Sequence, residues 1–476
     1  SVSNGSYFNP YSGTITAAQT SPLTVTLTRI AVTALLTVNE TISGTNYPLA
    51  NSKITISRPG ITGSSHDLNA NGQLVSGTYY LGISYTFVPT NYSNYYSNAS
   101  QAHTFTASGQ SWVMNLTCSA NVVVNVKSNI PASTNIQGAS VSYFHQTKTT
   151  DASGNATFLR SGLNQSLSSS ATYFDTLSTT LTAAQSSPFN ITMIRATTPI
   201  VLKVVETIPG VTGTFAYAGK TIKWTAGSST GNITTDSSGN VSFSGILGTA
   251  ITFSVTENTD FYSNPSQSFT YTSEGQSQTM SLTCAKQIVV NTKVNVPTGN
   301  VAANMSVTYF NQTKTTDASG NASFYRSGLD KSITVGDSSY INGYSGTILS
   351  TSASPFNIVL TRKTATVTLQ VVERYPGATT DYSYPNRPIT VSPLTSGSSV
   401  TLNANSTVSF TAYLGTPTTF TVQEAPSWYS NPTQTYTFTA ANQTFKMTLN
   451  ITARITFNIK SNIPSGTNLS GANVTF

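Results

Sequence analysis

Charge is scarce in this sequence. Lys, Arg, Asp and Glu make up 8% of its 476 residues, against roughly 25% in ordinary soluble proteins. The net charge is +7 because 22 basic residues outnumber 15 acidic ones. The basic residues are scattered and form neither a run nor a basic helix, so nucleic acid is not predicted as a partner.

Long apolar runs are also missing. No continuous apolar stretch reaches about 18 residues and no signal-peptide pattern is present, so no membrane span is predicted in this piece. The chain opens on a polar stretch without Met, which we expect of a processed protein or a piece of a longer one. Disorder is not predicted, because 10% of the residues are aromatic.

Residues suited to catalysis or metal binding are few. None of the three histidines shares a repeat position with another: His66, His103 and His145. No Ser-His-Asp set and no cluster with metal-ligand spacing can be assembled. We therefore predict no catalytic, cofactor-binding or metal-binding residues and no enzyme activity.

The two cysteines occupy one repeat position. Cys118 and Cys284 lie 166 positions apart, and Ile451 stands at the third corresponding position. Each ends a run of alternating apolar residues typical of a strand. A position that accepts Cys or Ile belongs to a core, so a disulfide is not predicted.

Ser, Thr, Asn and Gly are abundant and are arranged in repeats. The stretch TTDASGNATF at 149–158 returns as TTDASGNASF at 315–324, with a looser copy at 235–243. Asp and Ser bond to nearby backbone amides and Gly adopts positive φ, so the stretch predicts a β-hairpin. Weak calcium binding by the alternating oxygens of 151–155 is the alternative, although the bidentate Glu of an EF-hand loop is lacking.

Two alternating modules, A and B, account for the chain with a period of about 166 residues. Period-2 apolar runs between Gly, Pro, Asn and Ser turns predict an all-β fold, a tandem array of small antiparallel Ig-like β-sandwiches in an extended rod. The predicted boundaries are 1–30 (second half of a B-type sandwich), 31–119 (A-type), 120–198 (B-type), 199–285 (A-type), 286–364 (B-type), 365–452 (A-type) and 453–476 (first half of a B-type sandwich).

The modules follow one another almost without linkers, which predicts a stiff rod. An acidic residue recurs at the end of the first strand of each A module, as Glu40, Glu206 and Glu373. Because no acidic partner recurs close to it in sequence, we interpret it as a strand-end charge near a junction.

The two chain ends match different halves of a B module. The C-terminal half and the N-terminal half together lack one stretch of a B module, which corresponds in register to residues 144–166. Half a sandwich leaves open sheet edges. The sequence is therefore either a window on a longer repetitive chain or a subunit that its neighbour completes by strand exchange, and both alternatives predict a head-to-tail filament of copies of the chain.

Asn-x-Ser/Thr sequons are frequent. Attached glycans would explain how a surface with so little charge stays soluble. Few titrating groups also predict a stability that depends little on pH. The glycosylation candidates are those in turns or on polar strand faces: Asn4, Asn39, Asn91, Asn98, Asn155, Asn164, Asn232, Asn240, Asn311, Asn321, Asn405, Asn442 and Asn468.

The Gly-Ala-x-Val motif at 138–141, followed by the Asp-containing turn at 149–158, resembles carboxypeptidase-regulatory-like (transthyretin-like) and bacterial Ig-like modules. Such β-sandwiches occur in tandem on prokaryotic cell-surface proteins. The composition, rich in sequons and poor in charge, is similar to that of archaeal surface filaments. The resemblance implies a fold and a cellular compartment, but it does not imply any particular activity.

These observations predict an extracellular, glycosylated structural protein of a cell-surface filament. An adhesin stalk that presents a distal binding domain is one alternative. A glycan-binding repeat protein is another, although Trp112, Trp224 and Trp428 do not share a repeat position.

Overall fold

The structure is a computed structural model that describes residues 1–2, 5–462 and 465–475. It is all-β, as the sequence predicts, with strands joined by turns and four short 3-10 helices in the described residues. Strand β1 (Ala31–Ile42) shows why these segments are strands. Alternate side chains from Val32 to Ile42 are buried, and those between them face outward. No helix among the described residues has the length and apolar character needed to cross a bilayer.

The first sandwich, A1, consists of two sheets. In one, β1 pairs antiparallel with β2 and β5 and parallel with β8; the other has the order β4-β3-β6-β7. The parallel pair is an exception within an otherwise antiparallel module. The remaining elements of A1 are β2 Thr45–Pro48, β3 Lys53–Arg58, β4 Ile61–Asp67, β5 Gln73–Tyr80, β6 Ser84–Pro89, η2 Ser93–Tyr95, β7 Gln101–Thr104 and β8 Ser111–Thr117.

The second sandwich, B1, has the same two-sheet plan. Strand β9 pairs antiparallel with β10 and β13 and parallel with β16, and the second sheet has the order β12-β11-β14-β15. Its elements are β9 Asn121–Ser128, β10 Thr134–Asn135, β11 Ser140–Tyr143, β12 Gln146–Thr149, β13 Asn155–Leu159, β14 Gln165–Ser170, β15 Leu177–Leu181 and β16 Phe189–Met193.

The third sandwich, A2, repeats A1, with a parallel pair between its first and last strands. Its elements are β17 Thr197–Thr207, β18 Phe215–Ala216, β19 Thr221–Ala226, β20 Ser229–Thr234, β21 Asn240–Ile246, β22 Ala250–Val255, η3 Thr259–Phe261, β23 Ser266–Thr270 and β24 Ser277–Thr283.

The fourth sandwich, B2, repeats B1 with one strand fewer. An isolated bridge between Lys293 and Val301 takes the place of β10. Its elements are β25 Gln287–Val294, β26 Ser306–Tyr309, β27 Gln312–Thr315, β28 Asn321–Tyr325, β29 Lys331–Val335, β30 Tyr344–Ile348 and β31 Phe356–Leu360.

The fifth sandwich, A3, again follows the A plan. Its elements are β32 Thr364–Arg374, β33 Tyr382–Ser383, β34 Pro388–Ser392, β35 Ser399–Thr401, β36 Thr407–Tyr413, β37 Pro417–Val422, η4 Pro426–Trp428, β38 Thr433–Thr437 and β39 Thr444–Asn450. The chain ends outside the sandwiches contain η1 Gly5–Tyr7, β40 Lys460–Asn462 and β41 Ser465–Asn468.

The recurrent Asp-containing turn does not form the predicted hairpin. The carboxylate of Asp151 accepts the backbone N–H groups of Ser153 and Asn155 at 2.8 and 2.9 Å, and Gly154 has φ +76°. This is the predicted local chemistry. However, β12 before the turn and β13 after it belong to opposite sheets. The hairpin prediction is wrong because the turn carries the chain from one sheet to the other.

The hydrophobic cores join the sandwiches in pairs. One continuous core extends from Val32 in A1 to Met193 in B1. A second extends from Ile200 in A2 to Leu360 in B2. A3 has a core of its own. The structural repeat is therefore an A–B pair with a shared interior, and the A-to-B junctions lie inside that interior.

Candidate functional site

A buried glutamate lies at the first A-to-B junction. Glu40 follows the inward alternation of β1, and its side chain is fully buried. The phenol of Tyr96 and the backbone N–H of Gly162 donate to its Oε1 at 2.5 and 2.6 Å, and the hydroxyl of Ser161 donates to Oε2 at 2.7 Å. A buried carboxylate needs such donors, because burial removes its hydration.

The three donors come from two sandwiches. Tyr96 follows the 3-10 helix η2 of A1, and its backbone forms an isolated antiparallel β-bridge with Cys118 at the end of A1. Ser161 and Gly162 follow β13 of B1. A Cβ atom at Gly162 would lie 2.2 Å from the phenol oxygen of Tyr96, so only glycine allows this approach. Glu40 therefore ties the two sandwiches together across a junction of a few residues.

The second A-to-B junction repeats the arrangement with one addition. Glu206 is fully buried. It accepts from the phenol of Tyr262 at 2.7 Å, from the hydroxyl of Ser327 at 2.7 Å and from the backbone N–H of Gly328 at 2.9 Å. The ammonium of Lys331 lies 3.6 Å from Oε2 of Glu206, and no equivalent cation exists in the first junction, where Gln165 occupies the position.

An arginine stacks on an aromatic ring beside each buried glutamate. The guanidinium of Arg160 in B1 lies 4.7 Å from the ring centre of Tyr95 in A1 and donates to the carbonyl of Ala183 at 2.8 Å. At the second junction, Arg326 lies 4.6 Å from the ring of Phe261. Planar guanidinium groups suit such stacking. At each junction, the stack thus adds a contact between the B-type and the A-type sandwich.

Burial controls the protonation of the junction. Desolvation is the largest cause and the charge of Glu40 the second of a pKa of Tyr96 well above its ordinary value. The same two causes, with Glu206 as the charge, raise the pKa of Tyr262. Both phenols therefore remain donors to the carboxylates. Burial also raises the pKa of the Cys118 thiol to about 12, which keeps that thiol unreactive. Glu40 is closed to solvent, and the hydroxyls of Tyr96 and Ser161 both donate hydrogen bonds to its carboxylate.

The third copy of the site is open. Glu373 accepts from the phenol of Tyr429 at 2.5 Å, but its side chain is only half-buried. Within the described residues, no Ser-Gly segment of a B-type sandwich covers it. A cavity of about 530 Å³ lies over it, lined also by Trp428, Ile455 and Val474.

The B-to-A junctions are built differently. Arg195 donates to the carbonyl oxygens of Ile130 at 3.1 Å and Leu247 at 3.3 Å, and its guanidinium lies 4.3 Å from the ring centre of Phe174. Arg362 repeats the pattern at the next such junction. An arginine therefore bridges each of these two surface junctions.

Glu40, Glu206 and Glu373 lie near the ends of their strands, as the sequence indicated, but their role as hydrogen-bond acceptors was not predicted. They are acceptors at the junctions, and two of them are fully buried. Sequence reasoning missed their partners in the B modules. The signal that could have found them is Arg-Ser-Gly-Leu, which recurs at 160–163 and 326–329.

The glycosylation candidates are distributed between exposed and half-buried positions, and Asn4 lies outside the described residues. Asn39, Asn155, Asn240 and Asn321 are half-buried. The exposed candidates are Asn91, Asn98, Asn164, Asn232, Asn311, Asn405, Asn442 and Asn468. The side-chain nitrogen of Asn98 donates to the carbonyl of Asn115 at 2.8 Å, so a glycan there would disturb that bond. Occupancy stays a prediction.

The predicted calcium alternative and core cysteines can also be placed. The carboxylate of Asp151 already accepts two backbone N–H groups. Among the described residues, no three His, Cys, Asp or Glu side chains come together as metal ligands. Cys118 and Cys284 are buried and free. The alternating pattern that placed them in the core is thus confirmed by their burial.

Comparisons with known proteins identify no family for the chain. No family model and no curated protein matches it. Among solved structures it is similar to the Bacillus anthracis TIE protein (11% identity, 78% of this chain and 72% of that chain, TM-score 0.27). It is also similar to the full-length major pilin SpaD from Corynebacterium diphtheriae (8% identity, 54% and 98%, TM-score 0.22) and to GBS52, the minor pilin of Streptococcus agalactiae (13%, 35% and 97%, TM-score 0.17). All these TM-scores lie below 0.5, so no functional conclusion follows from them.

Proposed function

We propose that this chain is a structural subunit of an extracellular surface filament, in which copies of the chain are arranged head to tail. The observation that carries the proposal is the buried carboxylate at each complete A-to-B junction, which accepts hydrogen bonds from both sandwiches. Together with the shared core, it makes each A–B pair a single stiff body. A series of such bodies transmits tension along the chain.

The surface supports an extracellular setting. Only 8% of the residues are charged, and eight of the sequon asparagines proposed as glycan sites are exposed. We propose that N-linked glycans at these exposed sites provide the solubility that charge usually provides. Glycopeptide mass spectrometry of the native protein tests this. Occupied exposed sites support the proposal, and unmodified asparagines throughout contradict it.

Electron microscopy of purified protein over a range of concentrations tests the filament role. We expect unbranched filaments whose number rises with protein concentration. Rods that remain monomeric at every concentration would contradict the proposal and would favour the adhesin stalk. Retention on a glycan array would favour the glycan-binding alternative.

The mass of the deglycosylated polypeptide from native filaments, measured under denaturing conditions, distinguishes the two ways of joining. A mass near 50.3 kDa, that of this sequence, indicates neighbours joined by strand exchange. A mass several times larger indicates chain continuity through many repeats.

A further inference from the structure

The first A-type sandwich contains a cavity between its two sheets, and the residues that line this cavity all belong to A1. The cavity has a volume of about 250 Å³ and lies beside Ile56 of β3 and Gly77 of β5. At the same register positions, A2 has Trp224 and Phe243, whose ring centres lie 6.0 Å apart. Because A1 has neither ring at these positions, a space remains between its sheets.

A buried phenol is directed into this cavity. Tyr79 is 1% exposed, and its hydroxyl lies over Gly77, where a Cβ atom would be 2.4 Å from the phenol oxygen. Within the part of the chain that the structure describes, this oxygen has no hydrogen-bond partner. Burial raises the pKa of Tyr79 to about 12, so the phenol keeps its proton. The corresponding residues of A2 and A3 are Gly245 and Ala412. A buried donor without a partner is costly, which points to a ligand that accepts its hydrogen bond.

Further polar groups of A1 line the same cavity. Nε2 of His66 and Oγ of Ser64 lie 2.7 Å apart, and A2 has the apolar Ile233 at the register position of the histidine. The hydroxyl of Tyr85 accepts the backbone N–H of Tyr80 at 2.7 Å. A phenol that accepts one hydrogen bond can still donate its own proton. The cavity therefore offers several hydrogen-bonding groups at positions where A2 is apolar or lacks a side chain.

The charge of the cavity is positive. The guanidinium of Arg58 belongs to the lining and lies 4.6 Å from the ring centre of Tyr80. Among the described residues that line the cavity there is no Asp or Glu. Exposed residues at its rim, such as Ser64 and Thr78, give access from solvent. Arginine pairs well with a carboxylate. The phenols, the hydroxyl and the imidazole exceed what one carboxylate needs, and they suit a ligand that also carries hydroxyl groups.

We propose that this cavity of A1 binds a single acidic sugar residue, a six-membered ring that carries one carboxylate. Arg58 pairs with the carboxylate, Tyr79 and Tyr85 donate to hydroxyl groups of the ring, and Ile56 contacts an apolar face of it. The volume suits one ring, since cavities for drug-sized ligands are roughly 300 Å³ or larger. The site belongs to one sandwich, so it adds a binding function to the proposed structural role and differs from a glycan-binding surface repeated along the chain.

Isothermal titration calorimetry of the full chain with glucuronate tests the proposal. Glucose serves as the neutral ring, and benzoate serves as the acid without hydroxyl groups. We expect saturable binding of glucuronate. Glucose and benzoate should each bind roughly tenfold more weakly or less, because one lacks the partner of Arg58 and the other lacks the partners of the phenols.

A matched pair of substitutions locates the binding. Tyr79→Phe removes only the phenol oxygen and should weaken glucuronate binding by roughly tenfold. It should leave the fold intact, because that oxygen has no partner within the described chain. Tyr271→Phe is the control, since the hydroxyl of this fully buried tyrosine of A2 is likewise without a partner among the described residues. Binding by this variant should equal that of the unmodified chain.

A second variant fills the cavity. Gly77→Phe combined with Tyr79→Ala copies the residues of A3, Phe410 and Ala412, and should abolish binding. Circular dichroism confirms that each variant is folded.

The proposal is overturned if glucuronate does not bind, or if glucose or benzoate binds as tightly as glucuronate. It is also overturned if Tyr79→Phe binds no more weakly than Tyr271→Phe, or if the folded double variant still binds. Binding is measured in dilute solution, so it can succeed even where microscopy finds no filaments.

Discussion

The two kinds of junction in this chain connect neighbouring sandwiches through side chains of opposite charge. At the A-to-B junctions, a carboxylate is buried in a shared core and satisfied from both sides. At the B-to-A junctions, a partly exposed arginine spans the gap by donating to backbone carbonyl oxygens. Breaking a buried polar contact costs more than breaking an exposed one. We therefore expect the A-to-B junctions to be the stiff ones and the B-to-A junctions to yield first.

Loss of the buried acceptor should have the largest effect. Glu40→Ala leaves two hydroxyls and one backbone N–H buried without an acceptor, and we expect it to lower the free energy of local unfolding by about 3–5 kcal/mol. Hydrogen exchange of the Gly162 amide measures this, with the Gly328 amide of the unaltered second junction as an internal reference. Glu373→Ala is the matched control and should cost much less. Equal protection of both amides in Glu40→Ala would contradict the stabilising role of the buried Glu40 carboxylate.

A methyl group at the point of closest approach should have the next largest effect. Gly162→Ala places a Cβ 2.2 Å from the phenol of Tyr96 and should destabilise the junction by about 1–3 kcal/mol through overpacking. Gly336→Ala is the control, because its Cβ would make only ordinary contacts, at 3.7 Å or more, and its φ is not in the left-handed region. Thermal unfolding followed by calorimetry compares the two. A loss for Gly162→Ala no larger than that for Gly336→Ala would refute the steric argument.

Alkaline pH should weaken the A-to-B junctions. The folded-state pKa values of Tyr143 and Tyr309 are raised to about 12 by burial, and those of Tyr96 and Tyr262 are raised further. Unfolded tyrosines ionise near pH 10. The stability is thus fully present below about pH 10 and is lost as the pH rises through the folded-state values.

Urea midpoints at neutral pH and at intervals above pH 10 test this effect. Tyr96→Phe should lower the midpoint at neutral pH, because a hydrogen bond to Glu40 is lost, and should reduce the further decline in alkali. The prediction fails if both proteins lose stability equally between neutral and alkaline pH. Arg195→Ala serves as a control that should retain the full alkaline decline.

The smallest effect is expected at the B-to-A junctions. Arg195→Ala removes two hydrogen bonds to carbonyl oxygens and a stack on Phe174, which together should cost about 1 kcal/mol at a partly exposed site. The main consequence should be greater bending between B1 and A2. Small-angle scattering should show a shorter maximum dimension, and proteolysis near residues 194–196 should become faster. An unchanged scattering profile together with unchanged cleavage would show that the arginine does not stiffen the junction.

Much of the fold was predictable because alternation is local. The pattern from Val32 to Val38 places every second residue in the core and, continued by two positions, places Glu40 there as well. Glu40 was interpreted as a strand-end charge near a junction because nothing nearby in sequence supplies its partners. Ser161 lies 121 positions away. A contact over that distance becomes visible only when the order of the strands is known.

The Asp-containing turn teaches the complementary lesson. Its side-chain hydrogen bonds follow from Asp151 and Gly154 alone, and they were correctly expected. Which sheet the next strand joins depends on packing across the whole module, so the hairpin did not follow. The module boundaries and the glycosylation sites stay predictions, since neither turn chemistry nor burial decides how a domain folds by itself or which asparagines a host modifies.

The parallel pairing of first and last strands has a consequence for how the chain responds to pulling. In A1, Leu35 to Thr41 lie alongside Ser111 to Thr117 in the same direction, so the two attachment points of the sandwich lie at opposite ends of this pair. A pull along the rod loads all seven register pairs in shear at once, instead of opening them one by one. The parallel pair of B1 contains five register pairs, from Val124 to Ser128. Under rising force, we therefore expect the parallel pairs of the B-type sandwiches to separate before those of the A-type sandwiches.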